Sequence, residues 1–162
     1  MDTSPINNSK RLLLKGLERY GIKLEDMIDT AMELCISESR EDVKLKLREI
    51  MLKKLEDPNV LILMISALKL EEEGIKGNLP FNYQEDPNYI YVDEVIGMTI
   101  ANEISGTKGI FNFRWYDGEK PGVIGVLDKR GCVFLDDAIA GFIAGCMSKV
   151  FAKSHFVKVR RL

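Results

Sequence analysis

Leu24-Glu25-Asp26-Met27-Ile28-Asp29-Thr30-Ala31-Met32-Glu33-Leu34-Cys35 is the stretch from which the fold is read. Leu24, Met27, Ile28, Ala31, Met32 and Cys35 recur at i, i+3, i+4, i+7, i+8 and i+11, which puts them on one apolar face of an α-helix. Upstream, Leu13, Leu14 and Leu17 ahead of Gly21 predict a helix closed by a glycine. Downstream, Ser39 followed by Asp42 predicts a capping box for a third helix, whose Val43, Leu47, Ile50, Met51 and Leu55 face inward. Asp57-Pro58 offers an N-cap and an N1 proline for a fourth. Residues 60–70 are apolar nearly all round, as expected of a helix in the middle of a bundle.

Residues 74–88, with Gly77, Pro80, Pro87 and the polar run Tyr83-Gln84-Glu85-Asp86, form the most loop-like stretch, a lid or a connector. Beyond it, helices are predicted over 92–105 (closed by Gly106), 108–116, 123–127 and 135–153. Residues 89–92 and 132–134 are strand-like in composition and keep a mixed α+β arrangement as the alternative. The expected architecture is an all-α helical bundle in one domain spanning 1–162. Within it, 1–74 form an amphipathic front half, 75–90 a loop and 91–154 a second half that carries the chemistry.

The 162 residues are enough to bury a core without disulfides or a structural metal. Lys and Arg number 23 against 25 Asp and Glu, so the basic footprint of a nucleic-acid binder is absent. Cys35, Cys132 and Cys146 lie far apart without C-x-x-C spacing, which argues against a disulfide framework or zinc site and for a reducing cytoplasm. Residues 1–10 lack the apolar core of a signal peptide, and no run can span a bilayer as an uninterrupted apolar helix. The apolar stripes leave room for a helix-mediated homodimer.

Asp93 and Glu94 stand between Tyr91-Val92 and Val95-Ile96, and Asp136 and Asp137 between Phe134-Leu135 and Ala138-Ile139. Carboxylates in apolar segments are expensive to bury unless paired, hydrogen-bonded or bound to a metal. On helices, Asp93 shares a face with Gly97 and Asp137 with Gly141, so each pair stands beside a residue that permits close approach. Two such pairs brought together would concentrate hard oxygen donors suited to Mg²⁺ or Mn²⁺. Between them, Arg114 offers a fork for phosphate, Lys120 a point charge and Asp117 a further carboxylate. Helix capping by the same acids is the structural alternative. Gly141 and Gly145, with Ala140 and Ala144, read as a close helix-packing stripe, Cys132 as core, Glu71 to Glu73 as a charge run ending a helix, and 153–161 as a solvated basic end containing the lone His155.

Asp93-Glu94-x-x-Gly97, Phe113-Arg114-x-x-Asp117-x-x-Lys120-Pro121 and Leu135-Asp136-Asp137-x-x-Ala140-Gly141, in that order, resemble the three-block signature of the phosphatidylglycerophosphatase A family. The size and front half resemble its soluble branch, the YutG-like proteins and the archaeal α-ribazole phosphatases. The resemblance implies a bundle with one central helix, metal positions on Asp93, Glu94, Asp136 and Asp137, and a middle block of Arg114, Asp117 and Lys120. It also implies a Mg²⁺-dependent phosphomonoester hydrolase. Where membrane-embedded members continue Lys-Pro with Trp-Pro, this chain has Gly122-Val123, which favours a small-molecule phosphate ester such as α-ribazole 5'-phosphate of cobalamin biosynthesis. Phosphatidylglycerophosphate, a phospholipid substrate, is the first alternative, and a non-catalytic ligand- or partner-binding bundle the second. An all-helical nucleotide hydrolase is disfavoured because its E-x-x-E plus E-x-x-D pattern is missing.

Overall fold

A computed structural model describes residues 4–152. Among these, eight α-helices and one 3-10 turn carry the chain, with no strand, so the α+β alternative is set aside. The helices are α1 (Pro5–Arg19), α2 (Leu24–Glu33), α3 (Arg40–Lys54), α4 (Pro58–Ile75), α5 (Val92–Ser105), α6 (Thr107–Glu119), α7 (Gly122–Lys129) and α8 (Leu135–Val150). The 3-10 turn covers Tyr83–Glu85 in the α4–α5 connection. His155 and the basic stretch 153–161 lie outside the described residues.

The hub is α8, which packs against α2, α3, α4, α5, α6 and α7. Its Leu135, Ile139, Phe142 and Ile143 are fully buried, and Ala138, Ala140, Gly141, Ala144 and Gly145 are buried beside them. Such small side chains let neighbouring backbones approach closely on several sides at once. The stripe read from Gly141 and Gly145 is therefore a packing device. A Cβ on Gly141 would overlap the Gly97 carbonyl, and one on Gly145 would meet Ile104 Cβ at 2.7 Å.

The central position expected of residues 60–70 belongs to α8 instead. In α4, Val60, Leu61, Met64, Ala67 and Leu68 are buried while Ile62 is 63 % exposed, so this helix covers the core with one face. Its apolar surplus reflects exposed aliphatic residues, which folded proteins tolerate singly. Asp57 does cap α4, its carboxylate accepting from the Asn59 N–H at 3.1 Å. Ser39 sits at the N-cap position of α3 without a side-chain cap bond.

The buried face of α4 continues one turn further, to Glu71 and Gly74. Glu71 Oε2 accepts from the backbone N–H groups of Phe134 and Leu135, both at 2.9 Å, and so caps the N-terminus of α8 from another helix. Phe134, the N-cap residue, offers no side-chain cap of its own. Glu71 is thus no part of a solvated charge run. Next to it the Tyr83 ring stacks on Phe134 with centroids 6.5 Å apart, and the Val133 N–H donates to Tyr83 Oη at 3.3 Å. These contacts pin the α4–α5 connection against the start of α8.

Candidate active site

Both acidic pairs fall in the first turns of helices, Asp93 and Glu94 in α5, Asp136 and Asp137 in α8. Negative charge is favoured there by the helix dipole, by roughly 0.3–1 kcal/mol per group at exposed positions. The two N-termini converge because α5 and α8 cross at glycines. A Cβ on Gly97 would lie 2.6 Å from the Asp137 carbonyl oxygen, and Gly141 abuts Gly97. Asp93 precedes Gly97 by one helical turn and Asp137 precedes Gly141 by one turn, so the close crossing sets their carboxylates face to face.

Asp93, Asp136 and Asp137 are buried, and oxygens of Asp93, Glu94 and Asp137 lie within 4.8 Å of one another. Asp93 Oδ1 and Glu94 Oε2 are buried without a hydrogen-bond partner. Lys120 reaches in from the end of α6, its Nζ 2.8 Å from Asp117 Oδ1, 2.7 Å from Asp136 Oδ2 and 3.5 Å from Asp137 Oδ1. Asp136 stands aside from the converging trio. Its Oδ2 is taken by Lys120, and its Oδ1 accepts from the Asp137 N–H at 2.9 Å. Of the four expected metal positions, three converge and the fourth serves the lysine.

These groups line a depression of about 250 Å³ that is also bordered by Asp86, Asp128 and Tyr91. Burial raises Asp93 above the ordinary carboxylate range, with the neighbouring Glu94 carboxylate adding to it. Burial likewise raises Asp137, reinforced by Asp136 and Asp117 and opposed by Lys120. Asp136 is pushed up to about 6 by burial, with the Lys120 ammonium pulling the other way. Burial alone would lower Lys120, but Asp136, Asp117 and Asp137 hold its ammonium well above the usual lysine range.

Arg114 is not brought to this depression. On α6 the buried Phe113 and Tyr116 fix the rotation of the helix, and each residue turns about 100° from the last. Asp117 and Lys120 return to the inward side, whereas Arg114 is exposed and borders a separate depression with Phe111 and Trp115. A larger apolar depression, of about 670 Å³, lies beside Ile36, Trp115, Met147 and Phe151 and holds no acidic cluster. Cys132 borders the acidic depression, and burial, with Glu71 and Asp136 nearby, pushes its thiol up to about 12, so it is no ready nucleophile.

The family model of phosphatidylglycerophosphatase A matches residues 26–152, a span that contains all three sequence blocks. The uncharacterized protein MJ1330 of Methanocaldococcus jannaschii is 64% identical over 126 residues, covering 76% of this chain and 99% of that protein. The uncharacterized protein YpjQ of Bacillus subtilis is 26% identical over 161 residues, covering 94% of this chain and 84% of that protein. The crystal structure of YpjQ superposes with a TM-score of 0.77 at 24% identity, over 91% of this chain and 95% of that one. The low temperature requirement C protein of Listeria monocytogenes gives a TM-score of 0.75 at 21% identity, over 91% and 96%. These two superpositions support the all-helical fold. No helix among the described residues is long and apolar enough to cross a membrane.

Proposed function

The chain belongs to the phosphatidylglycerophosphatase A family, and on that premise we propose that it is a Mg²⁺-dependent phosphomonoester hydrolase whose site is the depression at the N-termini of α5 and α8. The observation that carries this reading is the trio of Asp93, Glu94 and Asp137. Three carboxylate oxygens from two helices converge within 4.8 Å, and buried oxygens of Asp93 and Glu94 have no hydrogen-bond partner. Buried acceptors are ordinarily satisfied, so converging carboxylates that keep unpaired oxygens fit a cation. All the donors are hard oxygens, which suits Mg²⁺ or Mn²⁺ better than a thiophilic ion.

The cation, when bound, would supply charge neutralisation at a phosphoryl oxygen and a more acidic water. This chain's residues do the rest. Asp93, Glu94 and Asp137 would hold the cation where acids line the walls and a phosphate dianion would otherwise be repelled. Lys120 presents its ammonium to the same depression and keeps Asp117 and Asp136 in place. Asp117, half-buried and outside the converging trio, is the carboxylate we assign to proton transfer from the attacking water. Arg114 has no part in this assignment, because it is exposed elsewhere.

For substrate, we favour a small phosphate ester such as α-ribazole 5'-phosphate, with phosphatidylglycerophosphate as the alternative. A depression of about 250 Å³ suits a phosphate and the first atoms of its ester. Phosphate release from both compounds, with Mg²⁺ and with EDTA, tests the reading. Metal-dependent release from the small ester supports it, and release from the lipid alone transfers the site to phospholipid metabolism. Silence on both compounds, without any Mg²⁺-dependent rise in melting temperature, favours a non-catalytic bundle.

A further inference from the structure

We infer that Lys120 is a resident counter-ion that confines the site to one divalent cation, seated on Asp93, Glu94 and Asp137. This rests on the functional reading above and adds what decides the number of ions. The carboxylates of the depression fall into two halves. On one side Lys120 Nζ lies 2.8 Å from Asp117 and 2.7 Å from Asp136, so those acids already have their cation. On the other side Asp93 Oδ1 and Glu94 Oε2 have no partner. Asp137 lies between, 3.5 Å from the ammonium and within the trio.

The lysine is built to stay there. Lys120 adopts a left-handed backbone, φ 47°, which a residue with a Cβ seldom takes without support. Pro121 follows and fixes the next φ. Gly122 is also left-handed, at 46°, and packs so closely on Thr30 that no side chain would fit. The Val123 N–H donates to Thr30 Oγ1 at 3.0 Å, and Gly125 abuts the Lys120 carbonyl. The backbone behind Lys120 is therefore clamped between α2 and α7. An ammonium donates at most three hydrogen bonds, and these carboxylates offer that many acceptors. A second divalent ion would have to displace a fixed positive charge from its own ligands.

The test is Mn²⁺ titration of the full chain by calorimetry, with the paramagnetic resonance of bound Mn²⁺ to tell isolated ions from coupled pairs. The wild type is expected to bind one Mn²⁺ per chain with the spectrum of an isolated ion. Lys120→Met should bind two, with a coupled-pair spectrum, and Lys120→Arg should return to one. Asp136→Asn should still bind one ion and lose less affinity than Asp93→Asn, which should lose about tenfold or more. Asp136→Asn and the wild type carry the test by themselves if Lys120→Met fails to fold. Two ions on the wild type, one ion on a folded Lys120→Met, or a loss in Asp136→Asn as large as in Asp93→Asn would each overturn the inference while leaving metal-dependent phosphate release standing. No binding of Mn²⁺ by the wild type would overturn both.

Discussion

Gly141 in α8 lies so close to the carbonyl of Gly97 in α5 that a methyl group has no room between them. The two helices meet through bare backbone at a point one turn below both acidic pairs, and that contact sets the distance between Asp93 and Asp137. Packing of the core and geometry of the site are consequently one feature. Gly141→Ala is expected to force the helices apart, costing about 1–3 kcal/mol by overpacking. The separation should also weaken Mn²⁺ binding, because the carboxylates would part. Gly118→Ala is the control. Gly118 is an exposed residue of α6 with open space at its Cβ, and there the substitution should stabilise by about 0.5–1 kcal/mol through helix propensity. Urea midpoints and Mn²⁺ affinity of both variants check this, and unchanged values for Gly141→Ala would dismiss the crossing as the determinant.

Asp137→Asn should keep the fold and lose most turnover. The amide preserves shape but removes a charge from the trio that receives the cation. A ligand present at 100 times its Kd stabilises by about 2.7 kcal/mol, and the variant should forfeit most of that Mg²⁺-dependent gain. Thermal unfolding with and without Mg²⁺, beside phosphate release, separates the two effects. Full activity in Asp137→Asn would remove this residue from the site.

Glu71 should give stability a pH dependence of known sign. Burial pushes its carboxyl from 4.5 up to about 7, opposed by the Phe134 and Leu135 N–H groups. A folded-state pKa above the unfolded one means that the folded chain holds the proton more tightly. The contribution is therefore complete below about pH 4.5 and is lost as pH rises through about 7, by about 3 kcal/mol at 1.36 kcal/mol per unit. Glu71→Gln keeps an acceptor for both N–H groups and cannot ionise. It should be less pH-dependent than wild type between pH 5 and 8 and should gain on it at the alkaline end. Glu71→Ala, by contrast, leaves two buried donors unpaired and should cost about 1–3 kcal/mol for each. Denaturation midpoints at pH 5 and pH 8 decide the sign, and parallel profiles for wild type and Glu71→Gln would contradict it.

The helices were legible in the sequence because the apolar period of α2 and α3 and the breaks at Gly21, Asp57-Pro58 and Gly106 are local signals. The pairing of Asp93 with Gly97 and of Asp137 with Gly141 was legible for the same reason, since four residues is one turn. Three features were not. Residues 60–70 look more buried than 135–147 because hydropathy counts Leu and Ile above Ala and Gly, whereas centrality at this crossing depends on small side chains. Glu71 reads as surface charge until the period of Val60, Met64, Ala67 and Leu68 is carried one step further, to the position it occupies. The sequence offers Lys120 as a point charge for phosphate, and that its ammonium already lies against Asp117 and Asp136 depends on a left-handed turn that lysine does not announce.

Arg114→Ala separates the motif from the geometry. The middle block of the signature groups Arg114 with Asp117 and Lys120, and on the motif alone a phosphate-binding arginine should cost orders of magnitude when truncated. In the structure Arg114 is exposed beside Phe111 and Trp115, on another surface from the acidic depression. An exposed side chain outside the site makes no contact that strengthens as the transition state forms, and substitutions at such positions usually change stability by no more than about 0.5 kcal/mol. The expected result is kcat/KM within about twofold of wild type, beside Lys120→Ala, which should lose about tenfold or more. Loss in Arg114→Ala as large as in Lys120→Ala, with its melting temperature unchanged, would mean that α6 turns Arg114 toward the depression when substrate binds.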